Sequence, residues 1–275
     1  MTSRVLITGA TGNLGAKAVA ALRALDDVKV IGVANAPAKG DLHITVVFAD
    51  LSVPDESWDR WFEGVDVVLH LAADMRPAAP WESVIANNID LSLNVLDAVE
   101  RHGVGRVVFA SSNWVLGGYR FGTDALTPTT PPKPVNAYGI SKLVIERAGA
   151  ALARRGTDFL VLRLGWCQPG ENRPGSHMAF GRWGQQMWLS NDDWRQAVQL
   201  ACTAPFEGFA VVNVMSDNAG SRWDLSETDR VLGYRPTSHH KPRLSPYRYC
   251  LDVGARVRDR VLPMRSEAPL FGARW

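Results

Sequence analysis

Apolar residues along this 275-residue chain fall into short runs that alternate with helically spaced segments through the first two-thirds. The first run, Arg4 to Thr8, is apolar and β-branched and predicts a strand. Behind it, Leu14, Ala18, Leu22 and Leu25 share one helical face. Further strands are predicted at Lys29–Asn35, Thr45–Asp50, Asp66–Ala72, Arg106–Ser111 and Asp158–Gly165. Helices are predicted at Glu56–Phe62, Asn87–His102 and Tyr138–Arg155. Strands this apolar need cover on both faces, so the alternation implies a parallel sheet between two helical layers. Right-handed crossovers then give a doubly wound α/β fold. After Gly165 the pattern weakens. Gln168–Gln186 reads as a long polar loop, Asp192–Cys202 as a helix, Ala210–Met215 as a strand and Leu225–Leu232 as a short helix. From Pro236 the chain is basic and proline-punctuated, which predicts a segment wrapped over the surface.

Between the first strand and its helix stand Gly9, Gly12 and Gly15, in T-G-A-T-G-N-L-G. Gly9 allows a turn that a Cβ would block, Gly12 a close backbone approach to a pyrophosphate, and Gly15 tight helix–strand packing. The free N–H groups and positive end of the helix would face the phosphates. Gly9, Thr11, Gly12, Asn13, Leu14 and Gly15 are therefore candidate dinucleotide contacts, although the spacing is G-x-x-G-x-x-G rather than G-x-G-x-x-G. At the end of the second strand, the acid expected to bind a ribose 2′-hydroxyl is replaced by Asn35. An amide still bonds the hydroxyl but carries no charge to repel a 2′-phosphate, and Lys39 follows four residues on. These residues leave NAD and NADP both open, and it is the family resemblance described below that makes NAD the expected cofactor. The chain divides in this reading into a Rossmann-like dinucleotide-binding domain, 1–165, and a smaller C-terminal substrate-binding lobe with an extension, 166–275.

Composition narrows the field. A formal charge of +2 with dispersed basic residues gives no field for nucleic acid, so none is expected as a partner. No apolar stretch reaches membrane-spanning length, and Met1-Thr2-Ser3 leads straight into a strand, so neither a membrane anchor nor a leader is expected. Cys167, Cys202 and Cys250 are odd in number and far apart, which favours reduced thiols in a cytoplasmic protein. Cys167 reads as a small apolar filler. The His239-His240 pair has no partners at metal spacing and reads as a solvated turn, so no metal is expected.

The chemistry concentrates in two places. Tyr138 and Lys142 stand four apart in N-A-Y-G-I-S-K, one turn apart on one helical face. Lowering a tyrosine pKa from about 10 to about 7 takes roughly 4 kcal/mol, a plausible sum for a neighbouring cation in a dry cleft. The fifth strand ends in Ser111, Ser112 and Asn113, at the strand end where open α/β sheets bind ligands. A serine hydroxyl there can hold a substrate oxygen while its bond order changes.

Together T-G-A-T-G-N-L-G, S-S-N and Y-G-I-S-K resemble the extended short-chain dehydrogenase/reductase family, the NAD-dependent epimerases and dehydratases. H-L-A-A at 70–73, N-N-I-D-L-S-L-N at 87–94 and L-G-Y-R-P at 232–236 fit it as well. The resemblance implies that Tyr138 is the acid/base, that Lys142 holds the nicotinamide ribose and tunes Tyr138, and that Ser112, five before Gly117, binds the reacting oxygen. It also implies that Asn35, Asp50, Leu51, Leu71, Ala72 and Ala73 line the cofactor, and that Asn88 supports Lys142 through water, with capping or packing as its alternative role. A homodimer is expected through the Asn88–His102 and Tyr138–Arg155 helices, with Leu91, Val95, Leu143 and Ala150 supplying apolar surface. Within the family, L-G-G-Y, L-R-L-G-W-C-Q-P, W-L-S-N-D-D-W and S-D-N-A-G-S-R-W-D resemble the uronate dehydrogenases, which oxidise a sugar acid to a lactone. That likeness implies substrate contacts from Ser112 and Asn113 and from Arg173 or Arg182. Met75, Trp114 and Trp166 stand where those enzymes carry polar residues, which would shrink or dry the pocket. The expected activity is NAD(P)-dependent oxidation of a sugar, sugar acid or similar small hydroxy compound. A sugar epimerase or dehydratase with retained cofactor is one alternative, and a non-catalytic NAD(P) sensor another.

Overall fold

The computed structural model describes residues 2–38 and 40–261. Lys39, noted above four residues after Asn35, lies outside the described residues. Two βα units open the chain: β1 (Ser3–Thr8), α1 (Asn13–Leu22), β2 (Val28–Ala34), β3 (Thr45–Phe48), and α2 (Glu56–Asp59) with a 3₁₀ turn over Arg60–Phe62. Next come β4 (Val67–His70) and one continuous helix made of α3 (Trp81–Val84), a π-helical stretch (Ile85–Asp90) and α4 (Leu91–Arg101). Then follow β5 (Arg106–Ser112), a 3₁₀ segment (Asn113–Tyr119), α5 (Ala137–Ala153) and β6 (Asp158–Leu164). The remainder comprises α6 (Gly181–Gln186), α7 (Asn191–Thr203), β7 (Phe209–Val214), β8 (Asp217–Asn218), α8 (Ser226–Leu232), β9 (His239–His240) and α9 (Pro246–Val261).

Seven parallel strands form one sheet in the order β3-β2-β1-β4-β5-β6-β7. The order reverses between β1 and β4, which opens a crevice at the carboxyl ends of the strands. Strand alternation feeds two cores. Val5 and Ile7 join α1 and α7 residues such as Val19, Leu22, Trp194 and Val198 on one face. Leu6 points the other way, among Phe62, Val95, Val99, Phe109 and Ile145. Helix boundaries follow from local chemistry: Asn136 Oδ1 accepts from Gly139 N at 2.7 Å to start α5, and Ser190 Oγ accepts from Asp193 N at 2.9 Å to start α7.

A buried charge cluster fixes α5 against the sheet. Arg163 of β6 donates through Nε (3.0 Å) and Nη2 (2.8 Å) to the two carboxylate oxygens of Glu146, and Ser111 Oγ donates to the same carboxylate at 2.6 Å. Both charged side chains are almost wholly buried. Removing one partner would strand the other, at a cost of about 3–5 kcal/mol. Glu146 lies one turn beyond Lys142, so the cluster also sets the seating of the helix that carries Tyr138 and Lys142.

Several expectations need correction. The helix expected from Asn87 begins at Trp81, behind Pro80, and is π-helical around Asn88. The 168–186 loop ends in α6, with Met178 and Trp183 buried. The segment after Pro236 forms α9, because Pro246 occupies a first-turn position where its missing N–H costs nothing. His239-His240 is a strand paired with β8 rather than a free turn, and His240 Nε2 meets Gln185 Oε1 at 3.0 Å. The chain beyond residue 165 is not confined to the substrate side: β7 pairs with β6 at the sheet edge and α7 joins the α1 face.

Candidate active site

Gly9 sits at φ 69°, and a Cβ there would approach Ala72 N to 2.9 Å. A Cβ on Gly15 would run into the Gly9 carbonyl oxygen, so that position must be bare for α1 to start where it does. Gly12 N donates back to Gly9 O at 3.0 Å and closes the turn. No side chain caps α1, which leaves its amino end open to an anion. A dinucleotide pyrophosphate fits this cradle.

The turn lies at one end of a cleft of about 1010 Å³ at the carboxyl edge of the sheet. Of the predicted cofactor contacts, Gly9, Thr11, Gly12, Asn13, Leu14, Gly15, Asn35, Asp50, Leu51, Leu71, Ala72, Ala73, Tyr138 and Lys142 all line it. So do Met75, Ser112, Asn113, Trp114 and Trp166 from the predicted substrate set. Asn88, Arg173 and Arg182 do not. Arg173 is exposed and paired with Glu171 at 2.7 Å, and Arg182 is exposed on α6. Cys167 lines the cleft as a buried thiol, pushed up by burial, with Lys17 Nζ at 3.4 Å. All three cysteines are free.

Asn88 has a different task. Its Oδ1 accepts from Asp74 N at 2.7 Å, while Nδ2 donates to Asp74 O and Ser141 Oγ, each at 3.1 Å. It belongs to a buried chain with one consistent direction of donation. Thr8 Oγ1 accepts from Leu71 N (3.1 Å) and Ala72 N (3.2 Å), which leaves its proton for His70 Nδ1 at 2.6 Å. The proton of the ring is then on Nε2 and goes to Ser92 Oγ at 2.9 Å; Ser92 donates to Asn88 O at 2.5 Å. Ser141 Oγ ends the chain on the Tyr138 carbonyl at 2.8 Å. His70 is neutral here: burial, reinforced by the Lys142 charge, pushes it down to about 3.

At the reacting end, Ser112 and Tyr138 both line the cleft, and Ser112 Oγ accepts from Trp114 N at 3.2 Å. Burial raises the Tyr138 hydroxyl to about 12, against the pull of Ser112, and the Asp74 charge adds to the rise. Lys142 Nζ lies over the rings of Phe109 (5.0 Å) and Tyr138 (5.7 Å), and burial alone pushes it down to about 7. Asp74 is held at about 2, chiefly by the Arg76 guanidinium. Asn113 Nδ2 donates to Leu164 O at 2.6 Å, and its buried Oδ1 has no partner. Trp166 is fixed by strand-like bonds to Met187 O (2.7 Å) and from Leu189 N (3.1 Å).

Residues 5–172 match the model of the NAD dependent epimerase/dehydratase family. The chain belongs to this family. The residues that carry the resemblance, Ser112, Tyr138, Lys142 and the glycine turn, all line one cleft here. L-arabinose 1-dehydrogenase (NAD(P)(+)) of Haloferax volcanii is 34% identical over 251 residues, 85% of this chain and 96% of that one. Uronate dehydrogenase of Pseudomonas syringae pv. tomato is 34% identical over 237 residues, 85% and 82% of the two chains. The structure of a mutant uronate dehydrogenase of Agrobacterium tumefaciens complexed with NAD superposes with a TM-score of 0.75 at 27% identity, covering 87% of this chain and 86% of that one. The protein is an NAD(P)-dependent enzyme of this family.

Some participants carry no readable sequence signal. Phe180 lines the cleft from a left-handed backbone (φ 63°) that nothing in the sequence marks. The Glu146–Arg163 pair is visible only once α5 and β6 are adjacent. His70 lies in the quoted H-L-A-A, yet its role depends on Thr8, 62 positions away.

Two expected outcomes follow. Asn35→Asp should sharpen preference for NAD over NADP by roughly 1–2 kcal/mol, the scale of one charge-assisted bond plus an exposed repulsion. Titrating both cofactors against wild type and variant measures it; a wild-type preference already near a thousandfold would place selectivity elsewhere. Lys142 binds its proton less tightly folded (about 7) than unfolded (10.5), so its contribution to stability rises with pH from about 7 to about 10 and levels off above that. Lys142→Met should remove this slope and raise dinucleotide-free stability near neutrality by up to about 4 kcal/mol. Paired denaturation curves across that range check it; parallel curves would mean that Lys142 is not held deprotonated by burial.

Proposed function

We propose that the protein oxidises a hydroxyl of a sugar, a sugar acid or a similar small hydroxy compound, with NAD or NADP as oxidant. The observation that supports this most is the meeting of Ser112, Tyr138 and Lys142 along one wall of the cleft that begins at the glycine turn. When bound, an oxidised nicotinamide supplies the hydride acceptor. Ser112 Oγ holds the substrate oxygen, and Tyr138 Oη takes its proton as the carbonyl forms. Protonated Lys142 favours the phenolate and would bind ribose hydroxyls, and Asn88 steadies the helix start through Ser141.

The partner of the reaction is a small molecule, and we place the enzyme in the cytoplasm on the strength of its three free cysteines. A homodimer through the α4 and α5 faces is part of the same reading, with a change of contact residues. Leu91 and Val95 are buried against the sheet, so Leu93 and Val144, both exposed, take their place on the outer face. Light scattering at micromolar concentration tests the dimer, and a strict monomer would overturn it.

Tyr138→Phe should reduce turnover by about 100- to 10,000-fold and leave dinucleotide affinity nearly unchanged, since the phenol moves a proton and holds little of the cofactor. Rates of nicotinamide reduction with a panel of hydroxy compounds check this. A variant with the wild-type rate would take the chemistry away from α5. Tightly retained cofactor with no net reduction would favour the epimerase alternative instead.

A further inference from the structure

The end of the cleft away from the glycine turn is built mainly from large apolar groups. Phe180 packs edge-on to Trp114 at 5.0 Å between centroids and tilted to Trp166 at 5.9 Å. Met75 and Met187 complete this lining. Phe180 holds its place at φ 63°, ψ 20°, with Gly181 also left-handed at φ 57°. A left-handed bulky residue costs on the order of 1 kcal/mol, and such strain persists where the surroundings require it. Here it sets an aromatic ring between two tryptophans at the cleft.

Charge is scarce in the same place. Among the described residues, the charged groups lining the cleft are Asp50, Asp74, Arg76 and Lys142. Asp50 follows β3, on the cofactor side, where it accepts from Ser52. The Arg76 side chain, two-thirds exposed, is bridged to Asp74, with Nε at 2.9 Å and Nη2 at 2.6 Å. Lys142 serves Tyr138. Arg173 and Arg182 stand outside the cleft. Among the described residues, a substrate carboxylate or phosphate brought against Trp114, Trp166 and Phe180 therefore meets no cation beyond Arg76 and Lys142, and would lose water for little in return. Asn113, by contrast, offers a buried acceptor with no protein partner, suited to a hydroxyl and unsuited to an anion.

We infer that the substrate is an uncharged sugar in its ring form, bound with a C–H face against the aromatic wall, and not a uronate or a sugar phosphate. This rests on the oxidation proposed above and names its substrate class. Tryptophan faces suit the C–H side of a sugar ring, while the hydroxyl edges meet Ser112, Tyr138 and Asn113. The reaction balances as before: a hydride leaves the carbinol carbon for NAD(P)⁺ and the hydroxyl proton leaves for Tyr138, giving a neutral carbonyl product.

Matched pairs decide it. D-galactose is set against D-galacturonate, and D-glucose against D-glucuronate and D-glucose 6-phosphate, with L-arabinose as a further neutral sugar. Reduced nicotinamide formation gives kcat/KM, and tryptophan fluorescence of the NADH-loaded enzyme gives binding independently of turnover. Neutral sugars should exceed their charged counterparts by about 100-fold, the penalty of an unpartnered buried anion. A charged member used or bound as well as its neutral partner would overturn the inference. Neutral sugars that bind selectively without forming reduced nicotinamide would uphold it and overturn the oxidation reading; no binding by any sugar would overturn both. Phe180→Asn keeps a residue that tolerates the left-handed backbone while removing the ring. It should raise KM for neutral sugars about tenfold with little change in kcat, as expected for lost stacking. An unchanged KM would detach the aromatic wall from the substrate.

Discussion

The arrangement depends on one buried line of hydrogen bonds, from Thr8 at the end of β1 through His70, Ser92, Asn88 and Ser141 to the first turn of α5. It crosses the reversal in strand order and ties the glycine turn to the helix that carries Tyr138 and Lys142. Each donated hydrogen in it has one acceptor, which is possible only for a neutral imidazole with its proton on Nε2. Protonation of His70 would reverse the Thr8 bond and strand a charge, so burial and the hydrogen-bond pattern enforce the same state. Fold and site are coupled here because the same groups close the sheet and align the cleft.

Electrostatics at the reacting end run against local stability. Lys142 is buried without a carboxylate, and Tyr138 is a weaker acid than free tyrosine. Burial thus favours the neutral form of both side chains. The Glu146–Arg163 cluster shows the opposite strategy one turn away, where opposite charges satisfy one another and anchor the helix.

Elements whose signals are local were legible in the sequence. The parallel strands and the glycine turn follow from periodicity and short spacing, the Tyr138/Lys142 pair took its meaning from the family resemblance, and the structure sets the turn and the pair along one cleft. What escaped depends on backbone states or distant partners. The proline-punctuated segment after Pro236 was read as a surface wrap, and from Pro246 it is a helix. Arg173 and Arg182 are in the right segment, but its fold turns both outward, and Phe180 takes the wall position through a conformation that phenylalanine seldom adopts. Leu91 and Val95 were assigned to an outer face, although a helix on a sheet spends its most apolar stripe inward.

The π-helical stretch from Ile85 to Asp90 turns chain length into a functional variable. A π turn holds about one residue more than an α turn, so it advances the phase of everything after it by about 100°. Shortening this stretch by a single residue would let it relax to an ordinary helix and rotate Asn88 away from Asp74 and Ser141, with every side chain of the site left intact. Residue count at 85–90, rather than residue identity alone, therefore guards the geometry. Attempts to recombine this chain with relatives would do best to exchange residues 81–101 as a block or leave them untouched.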